Sequence, residues 1–462
     1  AVLSAAGAGT GDVLKTTVYM TDIDEFEQMN TVYENVFAQG DTRGIFQFKS
    51  GGMQRYLEEM KPSSFEHITA MNALYRPGPM KLIPDFIERM HGEQEVTYLD
   101  ESVHEEVRPE VQDILEETYG IMVYQEQIMQ IAQRMADYSL GEADLLRRAM
   151  GKKKVKEMEK HEKMFKERAV KKGIEKQTAQ DVYDKMAEFA NYGFNKSHSA
   201  AYSMVAYQTA FFKANYPAEY MASVLTHNMN DIKKVSFFIE ECQRIGIPVD
   251  PPNVNSAEGK FVAKEGRVQY GLLAIKGVGS NAIEELVKER DKKGKFSSIF
   301  DFSARIDTRV CNRKTMESLA QAGAFDSLHQ NRAQLVASID DVINYASRKQ
   351  EEERLNQVSL FGESSGGGMG GEPNLRECPQ WTNIERLNKE RELIGFYLSG
   401  HPLDKYKEDV RLFASHSLNV EELSKLGDRE KVRVIGIITS VRRISDKKGR
   451  PMAFAQIEDL EG

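Results

Sequence analysis

The sequence predicts a mainly α protein, with a short α/β piece at its N-terminal end and a small β segment at its C-terminal end. Three observations carry this. Apolar residues recur at helical spacing from Gly40 to about Pro252. Pro62, Pro77, Pro79 and Pro217 cut that run into helix-length pieces. The last residues, KVRVIGIITSVRRISDKKGRPMAFAQIEDLEG, are rich in β-branched types around a DKKG turn, which reads as strand, turn, strand.

The elements follow in order. Residues 1–37 read as a helix end, a short strand (KTTVYMT) and a second helix (DEFEQMNTVYENVF) with Asp24 as its N-cap. Helices fill 40–252. FVAKEGRVQYGLLAI, within 260–275, reads as a strand pair turning at its Glu-Gly step. Two short helical units follow, around 280–290 and 312–345, and the helix through Arg354 runs into polar sequence. ESSGGGMGGEPN (363–374) has linker composition. A helical stretch around 381–412 precedes the β end, which holds too few strands for a stable sheet domain. The chain lacks an initiator Met, so it is expected to begin inside a larger gene product and to stop short of a complete C-terminal domain.

Composition narrows the classes. Hydrophobic residues make up 40% and charged residues 29%, as expected for a soluble globular chain. No apolar run reaches the roughly 18 residues of a membrane span, and the first residues lack a signal-peptide layout. Cys242, Cys311 and Cys378 are too scattered for a disulfide framework or a zinc site, which points to a reducing cytoplasm. The net charge of −9 argues against indiscriminate capture of nucleic acid. Locally the balance reverses: Arg147 to Lys176 holds thirteen Lys/Arg against five Glu. That stretch is either a phosphate-binding face or a solvated helix laced with pairs one turn apart.

Six segments carry candidate chemistry. In ALYRPGPM (73–80) the two prolines forbid helix and present Arg76 from a rigid turn; an ordinary loop is the alternative. In TYGIMVYQEQIM (118–129) Tyr124, Ile128 and the following Ile131 share a helix face that core packing explains, while Gln125 and Glu126 point elsewhere. In GEADLLRRAMGKKK (141–154) Arg147 and Arg148 should point apart, so that at most one pairs with a local carboxylate. Gly151 can end the helix and bring Lys152 to Lys154 alongside, which makes a phosphate grip.

In NYGFNKSHSAAY (191–202) Ser197 or Asn195 can cap a helix whose N–H groups would then face an anion, with Lys196 and His198 beside it; a plainly capped helix is the alternative. In LLAIKGVGSNAIEEL (272–286) Gly277 and Gly279 flank Val278 and allow close approach to a phosphate, with Lys276 supplying charge; this resembles the helix-hairpin-helix DNA-backbone module. AGAFDSL (322–328) reads as a second, degenerate hairpin. Finally, Gln357, Leu360 and Phe361 in QVSLF adjoin the linker and could anchor in a partner groove.

Together GDTRGIFQFKSGGM, ALYRPGPM, YGIMVYQEQIMQIAQ, LLRRAMGKKK, YGFNKSHSAAYSMVAYQT and AIKGVG resemble the bacterial DNA polymerase III alpha subunit family, the C-family replicative polymerases, from about Gln39 to Gly462. The resemblance implies fingers over 39–252, with Arg147 and Arg148 on the triphosphate and Lys152, Lys153, Asn195, Lys196, His198 and Arg76 in adjoining motifs. It implies tandem helix-hairpin-helix and clamp-binding parts over 253–362, a linker over 363–380, a helical connector over 381–430 and the start of an OB domain over 431–462, in DnaE-type order. DNA contacts fall to Lys276, Gly277, Val278 and Gly279, and sliding-clamp contacts to Gln357, Leu360 and Phe361. Partners would be primer-template DNA, deoxynucleoside triphosphates, the clamp and other replicase subunits, with no membrane.

The family's catalytic palm aspartates, which would hold Mg2+, have no counterpart in this sequence. Asp22-Ile-Asp24 copies their spelling, but a helix follows it. No catalytic or metal residue is therefore assigned. The alternative function is a non-catalytic DNA- and clamp-binding module. Residues 1–38 instead resemble a piece of the RidA/YjgF family of enamine/imine deaminases, which suggests a junction near 37–41.

Overall fold

Helix dominates the computed structural model, which describes residues 31–99, 104–152, 154–190, 192–354, 372–418, 423, 426–427, 430–445 and 449–460. The chain divides into two compact units, one ending at Tyr220 and one starting at Met221. Asp24 and the strand expected before it, Lys153, and the trio Gln357, Leu360 and Phe361 lie outside the described residues.

The first unit contains α1 (Gly51–Met60), α2 (Phe65–Leu74), α3 (Ile83–Met90), α4 (His104–Leu115), α5 (Gln125–Ala136), α6 (Leu140–Gly151), α7 (Val155–Lys171), α8 (Lys176–Phe189) and α9 (Lys196–Asn215). Small polar side chains start several of them. Ser50, Ser64, Ser139 and Asn195 each accept the N–H three residues on, closing α1, α2, α6 and α9. The prolines act as expected. Pro62 follows the end of α1, and Pro217 opens α10 (Pro217–Asn228), inside which the two units divide.

Two apolar cores organise this unit. Phe37, Phe48, Leu57, Ile68 and Phe86 gather around α1, α2, α3 and α9. Ile128, Ile131, Leu146, Phe165, Val182 and Met186 gather around α4 to α8. Helix α9 turns Ser199, Ser203, Ala206 and Ala210 inward, and these small residues let α2 come close. Ser199 Oγ donates to the Thr69 carbonyl at 2.7 Å, so the close face carries no unmet hydroxyl. At the far end of α9, Lys213 is only 2% exposed, yet its ammonium donates to Asp41 Oδ1 (2.7 Å) and to the Asp41 and Arg43 carbonyls (3.1 Å each). Three donors meet three acceptors, and the GDTRG loop is fixed to the helix.

The second unit continues with α11 (Ile232–Arg244), β1 (Val249–Asp250), β2 (Val262–Lys264), β3 (Arg267–Gln269), α12 (Ser280–Lys293), α13 (Ile299–Arg305), α14 (Arg313–Gln321), α15 (Arg332–Arg354), α16 (Asn383–Ile394), α17 (Lys407–Phe413), β4 (Ile437–Ser445) and β5 (Pro451–Glu458). The strand pair turns at Glu265-Gly266 as the sequence indicated, with Ala263 opposite Val268. Val249–Asp250 adds a parallel third strand on β3, too short to show any periodicity of its own. The helical stretch expected around 381–412 consists of α16 and α17 with a break between them. α16 stops at Gly395, whose N–H caps the Arg391 carbonyl, and the chain restarts as a 3-10 turn at Pro402.

Glu390 on α16 is 1% exposed and accepts from Arg332 Nη1 at 2.9 Å, from the Leu398 and Ser399 N–H groups, and from Ser399 Oγ. Arg332 also grips Asp326 (2.7 Å). This fully bonded pair locks α15 to α16. β4 and β5 pair antiparallel from Ile437↔Glu458 to Ser445↔Pro451. The three cysteines are free thiols, and burial pushes Cys242 and Cys311 up to about 12. Among the described residues no helix is long and apolar enough to cross a membrane.

Candidate functional site

In the first unit, four of the six segments converge where α5, α6 and α9 begin or end. The approach to α5 is forced into shape. Tyr119 adopts a positive φ of 52°, and a side chain at Gly120 would run into the Thr97 carbonyl. Gln127, 1% exposed, accepts the Val123 and Tyr124 N–H groups (2.8 and 2.9 Å) and donates to Thr118 Oγ1 (2.8 Å) and the Ile114 carbonyl (3.2 Å). The YGIMVYQEQ segment is thereby rigid before any functional group is placed.

It then docks onto YGFNKSH. Tyr124 and Phe194 form a parallel bridge, with Gln125 N–H donating to the Phe194 carbonyl at 2.8 Å and Phe194 N–H to the Val123 carbonyl at 3.2 Å. Glu126 receives Asn195 Nδ2 (2.8 Å) and the Lys196 N–H (2.9 Å). Lys196 Nζ sits between the two oxygens of Glu117 at 2.6 and 2.7 Å, with the Tyr124 ring 5.5 Å away. Asn195 is indeed the N-cap, taking the His198 N–H at 2.8 Å. The helix end expected to face an external anion thus already holds a carboxylate, that of Glu126. His198 is exposed, its ring 4.2 Å from that of Tyr202 and 5.5 Å from that of Phe194.

Arg76 faces the same junction but is not displayed on a bare turn. Half-buried, it donates from Nε to the Ala73 carbonyl (2.8 Å) and from Nη2 to the Tyr192 carbonyl (2.7 Å), and lies 4.3 Å over the Phe194 ring. Burial lowers its guanidinium pKa. The geometry makes it a brace between two loops.

The arginine pair departs from expectation in a specific way. Arg147 and Arg148 do not diverge; both reach back to Asp144. Asp144 Oδ1 accepts from Arg147 Nε (3.1 Å) and Nη2 (2.6 Å), while Oδ2 meets Arg148 Nε at 2.8 Å. The reason is helical spacing: Asp144 lies three residues before one arginine and four before the other, so it sits under both. The hydrogen bonds from Arg147, then both positive charges, hold its carboxyl below the usual range. Neither arginine is buried: Arg147 is 28% exposed and Arg148 61%. Arg147 Nη1 also donates to Gln125 Oε1 (3.0 Å), and Gln125 Nε2 donates to the Gly193 carbonyl (2.9 Å). Lys152, at the end of α6, is exposed.

Farther along, the basic stretch is laced as the alternative reading held. Lys154 pairs with Glu157, Lys166 with Glu162, Arg168 with Glu142 and Lys172 with Asp137. These pairs engage part of its positive charge at short range; Arg148 and Lys152 at the end of α6 stay exposed, as do Lys156, Lys160, Lys171 and Lys176 beyond it.

In the second unit, Lys276, Gly277, Gly279 and Ser280 are exposed around a tight hairpin in which the Val278 N–H donates to the Ile275 carbonyl at 3.2 Å. Gly277 has φ 87°, which needs glycine. No side chain caps α12, so its first-turn N–H groups are available to an anion. The Lys276 N–H is held by the Leu393 carbonyl at 3.0 Å, a support from α16 that local sequence could not signal. The hairpin at 322–328 differs: the Arg332 guanidinium packs against Gly323 and binds Asp326, so its own chain fills it.

Among the described residues no cluster of three His, Cys, Asp or Glu side chains could hold a metal. Asp144, beside the arginines, and Glu126, at the start of α5, are each engaged by donors of this chain. Among the described residues this donor set does not fit Mg2+. Sequence reasoning left Asp144 and Glu117 unassigned and gave Gln125 and Glu126 no role. Only Asp144 carried a readable signal, its spacing from the two arginines.

Comparison with known proteins identifies a family. The family described as bacterial DNA polymerase III alpha subunit finger domain matches residues 12–173, a span that runs across the 37–41 boundary and takes in much of the deaminase-like stretch. The helix-hairpin-helix motif matches residues 246–335. The DNA polymerase III subunit alpha of Xylella fastidiosa (strain Temecula1) is 44% identical over 93% of this chain and 36% of its own length. That of Treponema pallidum is 41% identical over 97% of this chain and 37% of its own, and that of Escherichia coli K12 39% identical over 93% and 37%. The chain therefore spans little more than a third of the length of these relatives. Within that span, with its finger and helix-hairpin-helix parts in sequence order, it belongs to the bacterial DNA polymerase III alpha subunit family.

Proposed function

We propose that this chain is the part of a cytoplasmic replicative DNA polymerase that grips the incoming deoxynucleoside triphosphate and the DNA backbone. One observation carries the reading: the Arg148 guanidinium, anchored through Nε alone and 61% exposed, stands beside Arg147 and near Lys152 at the end of α6. Its terminal edge suits two phosphate oxygens, and the cations would offset charge on the departing pyrophosphate as the primer 3′ hydroxyl attacks the α-phosphorus. Asn195, Lys196 and His198 would shape the neighbouring wall. Lys276 and the Gly277–Gly279 hairpin would hold duplex phosphates. Gln357, Leu360 and Phe361 would take the sliding clamp, and other replicase subunits would join through the remaining surface. The carboxylates and Mg2+ of the reaction would come from outside the residues described.

Steady-state primer extension by an alpha subunit containing this segment tests the reading. Arg148→Ala should raise KM for nucleotide by about tenfold or more, the worth of a charge-assisted contact. An unchanged KM and kcat would refute it. A second reading, a DNA- and clamp-binding module without catalysis, draws on the open hairpin at Lys276. It predicts that the isolated chain binds duplex DNA with an affinity unaffected by Arg148→Ala.

A further inference from the structure

The two arginines are not equivalent in their surroundings, and the difference has a direction. Arg147 is bound on three sides of its guanidinium. Nε and Nη2 go to Asp144 Oδ1, and Nη1 goes to Gln125 Oε1. Gln125 is fixed in turn, its Nε2 donating to the Gly193 carbonyl at 2.9 Å and its N–H to the Phe194 carbonyl at 2.8 Å. A Cβ at Gly193 would stand 3.2 Å from Gln125 Cγ, so the amide is packed as well as bonded. Arg147 therefore ties α6 to the loop that opens α9. Arg148 meets the second oxygen of Asp144 through Nε, and its side chain is 61% exposed.

We infer that the pair divides its labour: Arg147, clamped between Asp144 and Gln125, positions α6, and Arg148 alone makes the primary phosphate contact. Asp144 and Gln125 are then positioning residues of the nucleotide site. One carboxylate orients both guanidiniums, because each of its oxygens serves a different arginine. Holding Arg148 by Nε fixes the plane in which its fork is offered, which lowers the ordering cost when an anion arrives. The opposite arrangement would make Asp144 a competitor, an internal anion that a triphosphate must expel from both arginines. The two differ in sign. Removing a positioning carboxylate weakens phosphate binding; removing a competing one strengthens it.

The inference rests on the triphosphate reading above, and one titration separates them. Deoxyadenosine triphosphate is titrated into the 462-residue chain by calorimetry, with a thermal melt of each variant. Arg148→Ala should reduce affinity about tenfold or more. Asp144→Ala and Gln125→Ala should each weaken binding by about three- to tenfold. Asp144→Ala should cost less on an Arg147→Ala background than alone, since the strut between them is already gone and only the hold on Arg148 Nε remains to be lost. That departure from additivity is a result that general unfolding would not produce. Tighter binding by Asp144→Ala, or a larger loss for Arg147→Ala than for Arg148→Ala, would overturn the division of labour while leaving the phosphate grip intact. No effect of Arg148→Ala, or no binding by the wild-type chain, would remove the grip and the division together.

Discussion

At the scale of single residues, this protein uses buried and half-buried charge to hold loops in place. Lys213 is the clearest case. Its three donors are matched by three oxygens of the GDTRG loop, and its side chain is 2% exposed. Lys213→Met removes the ammonium from the partly exposed Asp41 carboxylate and from the two loop carbonyls. Urea unfolding should show a loss of about 2–4 kcal/mol, toward the lower end of what breaking a buried pair costs; a loss under about 0.5 kcal/mol, the range of ordinary surface changes, would mean the lysine does not fix the loop. Glu142 offers a pH test. The side-chain bond from Arg168, then the Ser139 N–H, hold its carboxyl down to about 2 from 4.5. A lowered folded-state pKa means its stabilising effect is complete above about 4.5 and fades as pH falls toward 2. The melting difference between wild type and Glu142→Gln should therefore be present at neutral pH and close over that acid range. A gap that stays constant in acid would contradict the assignment.

The same residues show what sequence could and could not reveal. That Arg147 and Arg148 form a cationic point was legible from their position before Gly151 and Lys152. That both fold back onto Asp144 was readable in the spacing, yet the expectation that adjacent side chains diverge overrode it. Long arginine side chains can bend around a helix to a common acid one turn back, and here they do. The brace on Arg76 was not legible, because its acceptors are carbonyls of Ala73 and of Tyr192, the latter far along the chain.

At the scale of elements, helix ends do the placing. The start of α5 and the start of α9 are cross-linked by Glu126, Asn195 and the Lys196 N–H, so an acidic side chain of one caps the other. Sequence reasoning found the cap at Asn195 but left the anion open, since a carboxylate 70 residues away gives no local sign. In the second unit the turn of the hairpin before α12 was legible, because Gly277 and Gly279 encode it directly, whereas its support from the Leu393 carbonyl was not. Its φ of 87° at Gly277 gives a clean test. Gly277→Ala should destabilise the hairpin by about 1–2 kcal/mol, the cost of left-handed backbone for a side chain. It should also weaken duplex DNA binding with a shallower salt dependence. Unaltered DNA affinity would place the DNA contact elsewhere. Helix length was least legible where tertiary contacts decide it, as at Gly395, where a Cβ would strike Ile232 and the helical stretch expected around 381–412 breaks.

At the scale of the whole chain, each of the two units carries an exposed basic element, the end of α6 in one and the hairpin before α12 in the other. The mainly helical class followed from apolar period and proline punctuation alone. The short parallel strand Val249–Asp250 did not, since two residues carry no period. The most direct test of the account asks where the phosphate end of a nucleotide lands. A γ-azidoanilide of deoxyadenosine triphosphate, photolysed with the chain and mapped by peptide mass spectrometry, should label peptides within Leu140–Lys154. That label should be competed away by unmodified nucleotide. Competed label found only beyond Tyr220, or in the first unit but away from α5, α6 and the start of α9, would contradict the claim that this face grips the triphosphate.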